Sequence, residues 1–163
     1  MAASTPYSIS FNSIDGQQHS LGDYSGKKIW VVVLPSTQTQ ADSVSLSWVD
    51  SVAMANAGTL KTIAVPSYED GYSDSLLPTI QPFYQGLLDT SVSITQGMYT
   101  HQSSGSSQSP LFSWLTHASQ NTHFEQEVTG PGQMYFITGQ GDLNGVFGND
   151  VKNSNAVINM VLQ

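Results

Sequence analysis

Residues 29–34, Ile-Trp-Val-Val-Val-Leu, are six apolar positions in a row with no polar side. A strand of that kind has to be covered on both faces, so this stretch predicts the central strand of a sheet. It breaks at Pro35 and continues through Ser36, Thr37, Gln38, Thr39 and Gln40 into helical spacing. Val44, Trp48, Val52 and Ala55 fall at i, i+4, i+8 and i+11, with Asp42 as N-cap and Gly58 as stop. That pattern predicts an amphipathic helix of about four turns, with Trp48 in the core. Residues 60–65 are a second apolar run, and a strand, helix, strand succession implies a right-handed parallel crossover.

Elsewhere the period changes. Tyr7, Ile9 and Phe11 alternate with Ser8, Ser10 and Asn12, which predicts a strand with one buried face. Asp15-Gly16 supplies a tight turn, and residues 18–21 the returning strand of a hairpin. Pro78 and Pro82 predict a helix starting near Thr79, since proline suits a first turn, and Ile80, Phe83, Tyr84, Leu87 and Leu88 form its apolar side. Val92 and Ile94 predict a short strand, and residues 101–108, all Ser, Gly, Gln and one His, a mobile surface loop. Ser109 caps a helix with Pro110 at its first position, packed down by Leu111, Phe112, Trp114 and Leu115. Residues 120–132 are irregular, residues 133–138 and 143–147 form an antiparallel pair, and a last helix starts near Ser154 with Val157, Ile158, Val161 and Leu162 buried. With no internal repeat and 163 residues, a single domain over 1–163 is expected.

Charge narrows the choice of partners. Four basic residues against twelve acidic ones give a net charge of −8, which disfavours nucleic acid and anionic membranes. Charged residues make up 10% of the chain against roughly 25% in ordinary soluble domains, so the exterior is built of Ser, Thr, Gln, Asn and Gly. That composition leans towards a periplasmic or secreted protein, and residues 1–6 resemble neither a signal peptide nor a lipid anchor, so any export signal of a precursor would already be removed. No run approaches the ~18 apolar residues of a membrane span. The absence of cysteine removes disulfide, thiolate and sulfur-ligated metal chemistry together.

In open α/β sheets, ligands bind where a strand gives way to a helix, so the site is expected at the turn that holds Ser36, Thr37 and Gln38. The loop 66–71 leaves the second strand at the same edge, and its Glu69, with Asp70 and Asp74, forms an acidic cluster that is expected to be solvated. A serine hydrolase would need a histidine beside Ser36, and no histidine falls in a segment expected to end at that edge. His117 and His123 lie six apart, not the i, i+4 spacing of two ligands on one helical face, so capping or surface roles are expected for them. Asp142, Asn144, Asn149 and Asp150 lack the spacing of a twelve-residue calcium loop and fit a hairpin turn. No metal and no cofactor is expected.

The order of elements resembles the thioredoxin fold in its larger, glutathione peroxidase-like form, and short motifs make the resemblance specific. Ile14-Asp15-Gly16 through Leu21-Gly22-Asp23-Tyr24-Ser25-Gly26-Lys27 resembles the opening segment of redoxins. Val65-Pro66 resembles their second-strand exit, Ser109-Pro110-Leu111-Phe112-Ser113-Trp114-Leu115 the helix that marks the peroxidase form, and Phe136-Ile137 with Gly141 the final hairpin. The resemblance implies an α/β fold with a central mixed sheet flanked by helices and an N-terminal β-hairpin. It also implies a catalytic set that is missing here. Gln38 stands where the family has its reactive cysteine or selenocysteine, Glu69 where it has a glutamine, and Gly130 and Pro131 where it has a tryptophan and asparagine pair. Redoxins keep a proline facing the site turn, and Pro131 lies one residue from that place; most X-Pro bonds are trans, but the resemblance leaves a cis bond open at Pro131.

Three readings follow. The first is a redox-inactive relative that serves as a binding or interaction module for a protein or small-molecule ligand, through Ser36, Thr37, Gln38 and Glu69. The second is an enzyme of non-thiol chemistry with Glu69 as general acid or base, which requires a raised Glu69 pKa opposite a concave pocket. The third is a structural, exported surface domain.

Overall fold

The computed structural model describes residues 5–35, 46–88 and 91–148. In chain order it contains β1 (Ser10–Asn12), β2 (Gln18–Ser20), β3 (Lys28–Leu34), α1 (Leu46–Ala55), β4 (Leu60–Pro66), α2 (Leu77–Leu87), β5 (Val92–Ile94), α3 (Pro110–Thr116), α4 (Ala118–Asn121), β6 (Met134–Ile137) and β7 (Leu143–Phe147). The main sheet has the order β5-β4-β3-β6-β7. Strands β3, β4 and β5 run parallel, while β6 and β7 are antiparallel to their neighbours. This is the mixed sheet that the resemblance implied.

Strand β3 is central, as its apolar run requires, and its alternate side chains enter different cores. Ile29, Val31 and Val33 pack with Leu111, Phe112, Trp114 and Leu115 of α3 on one face. Trp30 and Val32 pack with Val49 of α1 on the other, where Trp48 meets the Trp30 ring edge-on at 5.9 Å. Leu34, from the same side of β3, joins Ile80 and Tyr84 of α2. Helix α3 starts where Ser109 and Pro110 predict, with the Ser109 hydroxyl accepting from the Phe112 N–H.

The N-terminal hairpin is present, with Gly16 at φ +89° in its turn. It docks on the edge of the sheet: Ile14 N–H donates to Ile94 O and Gln96 N–H to Asn12 O. Its first strand is shorter than the alternation predicts. Thr5 caps a 3-10 turn over Pro6–Ser8, so pairing starts only at Ser10.

Helix α2 also departs from expectation. A 3-10 turn over Asp74–Leu76 feeds it, so it begins at Leu77, and Pro82 lies inside the helix instead of in its first turn. The proline removes one backbone hydrogen bond, and buried Ile80, Tyr84 and Leu88 hold the helix against the sheet nonetheless. The expected start of α1 at Asp42 and Val44 and the expected last helix from Ser154 lie outside the described residues.

Candidate functional site

Leu34 of β3 is in register with Pro66 of β4, so the chain leaves both strands at one edge of the sheet. Three neighbours fix that edge. The Tyr84 hydroxyl donates to Pro35 O at 2.7 Å in a buried position, where desolvation pushes the phenol pKa up. On the other side of β3, Gly132 N–H donates to Val33 O at 2.8 Å, which brings the turn 130–132 alongside. Beyond β4, Tyr68 N–H donates to Met98 O at 3.0 Å and carries the segment after β5 along the same edge.

Ser36, Thr37 and Gln38 lie outside the described residues. Glu69 sits in a 3-10 turn over Tyr68–Asp70, directly after β4. Gly130, at φ +147°, and Pro131, with a trans bond, form the half-buried turn beside Val33 and present neither indole nor amide to the edge.

The Glu69 carboxylate is not solvated as expected. One oxygen accepts from Thr100 N–H at 2.8 Å and from the Ser67 hydroxyl at 3.2 Å. The other accepts from His101 N–H at 2.9 Å and from the Ser104 hydroxyl at 2.6 Å. Burial pushes the Glu69 pKa up, but the bonds from Ser104, Thr100 and His101 together outweigh it and the carboxyl lies below its ordinary range. The raised pKa that an acid–base role for Glu69 requires is therefore absent, and its oxygens are taken by the loop.

A second carboxylate completes the clamp. Glu127 accepts from Gln102 N–H at 2.6 Å and Ser103 N–H at 3.1 Å. From below, buried Gln108 donates its amide to Thr100 O and Thr116 Oγ1. The segment 101–108, expected to be a mobile loop, is instead hydrogen-bonded, with two 3-10 turns over Gln102–Ser107 that meet at a kink at Gly105, and four consecutive amides, 100 to 103, each meet a carboxylate oxygen.

The same loop brings His101 to this edge, contrary to expectation, with its Nε2 3.1 Å from Asp70 Oδ2. Asp74 accepts from the Tyr68 hydroxyl at 2.8 Å. All three members of the acidic cluster are thus engaged in the fold. His117 and His123 bond backbone carbonyls near helix ends, as the capping expectation holds. The Asp142 N–H is bonded within the β6–β7 turn, while Asn149 and Asp150 lie outside the described residues. Among the described residues, no three His, Asp or Glu side chains gather to hold a metal, and no helix is long and apolar enough to cross a membrane.

Sequence reasoning missed a row of aromatic side chains. Tyr68 lies 5.6 Å from Tyr72 and 4.7 Å from Tyr99, ring centre to ring centre. Tyr68 and Tyr72 wall a cavity of about 250 Å³ with Ile14, Asp74, Leu77, Gln96 and Gly97. These residues come from the hairpin, the turns after β4, the start of α2 and the segment after β5, so no local pattern marks them. The described basic residues are confined to one edge. Lys27, Lys28 and Lys61 lie at the starts of β3 and β4, at the edge opposite Glu69, Asp70 and Asp74.

No protein-family model matches the sequence, and no curated protein matches it. Solved structures do. Trgpx in apo form superposes with a TM-score of 0.66 at 13% identity, over 99% of this chain and 98% of that one. The GPX1 of T. cruzi gives 0.67 at 13%, over 94% and 91%. A thiol:disulfide interchange protein of the thioredoxin family from Chlorobium tepidum gives 0.63 at 15%, over 100% and 99%. At such identities the likeness is one of architecture: this chain has the α/β thioredoxin-like fold of glutathione peroxidase-type and thioredoxin-type proteins, without a cysteine.

Proposed function

We propose that the protein is a redox-inactive thioredoxin-fold module that binds a ligand or partner at the carboxyl edge of its sheet. The observation that carries this reading is the absence of any cysteine from a chain whose structural neighbours include a thiol:disulfide interchange protein. Thiol–disulfide exchange and peroxide reduction in such folds proceed through a thiolate, and neither a carboxamide at Gln38 nor a hydroxyl at Ser36 or Thr37 replaces it. Glu69, the residue at the position of the family's glutamine, serves the loop 100–104, and Gly130 and Pro131 serve a turn. An acid–base enzyme centred on Glu69 is disfavoured by the lowered pKa of that carboxyl and by its four donors.

The test is peroxide consumption by the pure protein with glutathione, and separately with reduced thioredoxin, alongside insulin-disulfide reduction. Rates equal to buffer are expected in all three. Turnover above buffer in any of them would end the proposal.

A further inference from the structure

The cavity beside Tyr68 and Tyr72 has a composition that selects among ligands. Its wall is mostly carbon: two tyrosine rings, Ile14, Leu77 and the bare backbone of Gly97. A methyl group at position 97 would lie 2.4 Å from Tyr72 Cε2 and 2.9 Å from Tyr68 Cζ, so glycine is what lets both rings close on this wall. Two polar groups stand at the exposed rim, the Asp74 carboxylate and the Gln96 amide. At about 250 Å³ the space is smaller than the ~300–1,000 Å³ of drug-sized pockets, which fits a head group better than an extended ligand.

The electrostatics favour a cation. Asp74 is on the rim, Asp70 lies in the same turn as Tyr68, where it pairs with His101, and the three described lysines are at the far edge of the sheet. Burial first, and Asp74 after it, push Tyr68 up to about 12 and raise Tyr72, so both phenols stay neutral beside the cavity. A bare metal ion does not suit the cavity, because it would find one carboxylate where six or more oxygens are needed for calcium. An alkylated ammonium does, since it carries its charge inside a shell of methyl groups and is attracted to tyrosine rings.

We propose that this cavity binds the quaternary or methylated ammonium head of a small organic cation. The proposal rests on the reading of the chain as a binding module, and names the class of ligand that the module takes.

Choline and 3,3-dimethyl-1-butanol, its uncharged isostere, separate charge from shape. Both are titrated into the full chain at constant ionic strength, with amide NMR shifts of Gln96 and Gly97 as readout. Choline is expected to bind at least tenfold more tightly than the alcohol, in line with a cation–π and carboxylate contribution. Asp74→Asn, at an exposed position, is expected to weaken choline about fivefold and leave the alcohol unchanged, and Tyr68→Leu to weaken choline more strongly. Equal affinity for the two ligands, or no shift of Gln96 and Gly97 at tens of millimolar choline, would overturn the proposal. So would an Asp74→Asn protein with unchanged choline affinity. Peroxide turnover would end the proposed function without affecting choline binding, whereas a protein without turnover and without choline shifts would remove this inference alone.

Discussion

Replacing Glu69 by glutamine isolates the carboxylate clamp. The side chain keeps its length but exchanges one oxygen for an NH2 group. The hydroxyls of Ser67 and Ser104 can rotate to accept from that group, whereas the N–H groups of Thr100 and His101 cannot, since both only donate. Whichever way the amide turns, one of these two backbone donors loses its acceptor. An unsatisfied backbone donor costs about 1–3 kcal/mol, and the surviving bond loses the strength that the charge gave it. Glu69 is half-buried, so water softens both losses, and the net cost to the loop is set at about 2 kcal/mol.

Apart from Ser67, the hydrogen-bond donors to this carboxylate all lie in residues 100–104, so the cost falls on local opening of that loop, not on global unfolding. Amide hydrogen exchange at Thr100 and His101 is expected to accelerate about 30-fold, the equivalent of 2 kcal/mol, while amides of β3 and β4 keep their protection. Acid has a related effect on the wild type. The folded carboxyl titrates below the unfolded one, so its stabilisation is complete above roughly pH 4.3 and is lost as pH falls through the lower folded value. Exchange corrected for intrinsic rates should therefore rise in acid in the wild type and show no such step in Glu69→Gln. Protection at Thr100 and His101 within about threefold of wild type at neutral pH would refute the clamp.

Other substitutions test the packing around the edge. Tyr84→Phe removes the buried donor to Pro35 O and is expected to cost about 1–3 kcal/mol in a denaturant melt; no change in midpoint would show that the bond does not hold the end of β3. Thr62→Val is expected to stabilise, because the Thr62 hydroxyl is buried with no hydrogen-bond partner and valine has the same shape. A gain of about 1 kcal/mol would raise Tm by roughly 2–4 °C by calorimetry, and a fall in Tm would contradict the assignment. Gly97→Ala forces its methyl into the Tyr68 and Tyr72 rings and is expected to cost about 1–3 kcal/mol and to alter the near-ultraviolet circular dichroism of the tyrosines, whereas an unchanged spectrum and midpoint would show that the wall is loose.

The parts of the fold that were legible in the sequence are those fixed by local pattern. The unbroken apolar run 29–34 could only be a strand with two covered faces, Ser109-Pro110 could only open a helix, and the stripe from Ile80 to Leu88 names the buried side of α2. What escaped was decided by partners far away in the chain. The segment 101–108 has the composition of a mobile loop, and its order comes from Glu69, 31 or 32 positions before the amides it binds, and Glu127, 24 or 25 positions after. Composition carries no trace of such pairings. The aromatic cavity was hidden for the same reason, since Ile14, Tyr72 and Gly97 share no period.

The charge pattern bears on why thiol chemistry and this edge do not belong together. A reactive thiolate is favoured by nearby cations and helix N-termini and disfavoured by nearby carboxylates. Here the three described lysines sit at the opposite edge of the sheet, while Glu69, Asp70, Asp74 and Glu127 surround the ends of β3 and β4 and the loop they hold. A thiol placed after β3 in this field would tend to stay protonated, and a thiolate there would in turn loosen the Glu69 clamp by repulsion.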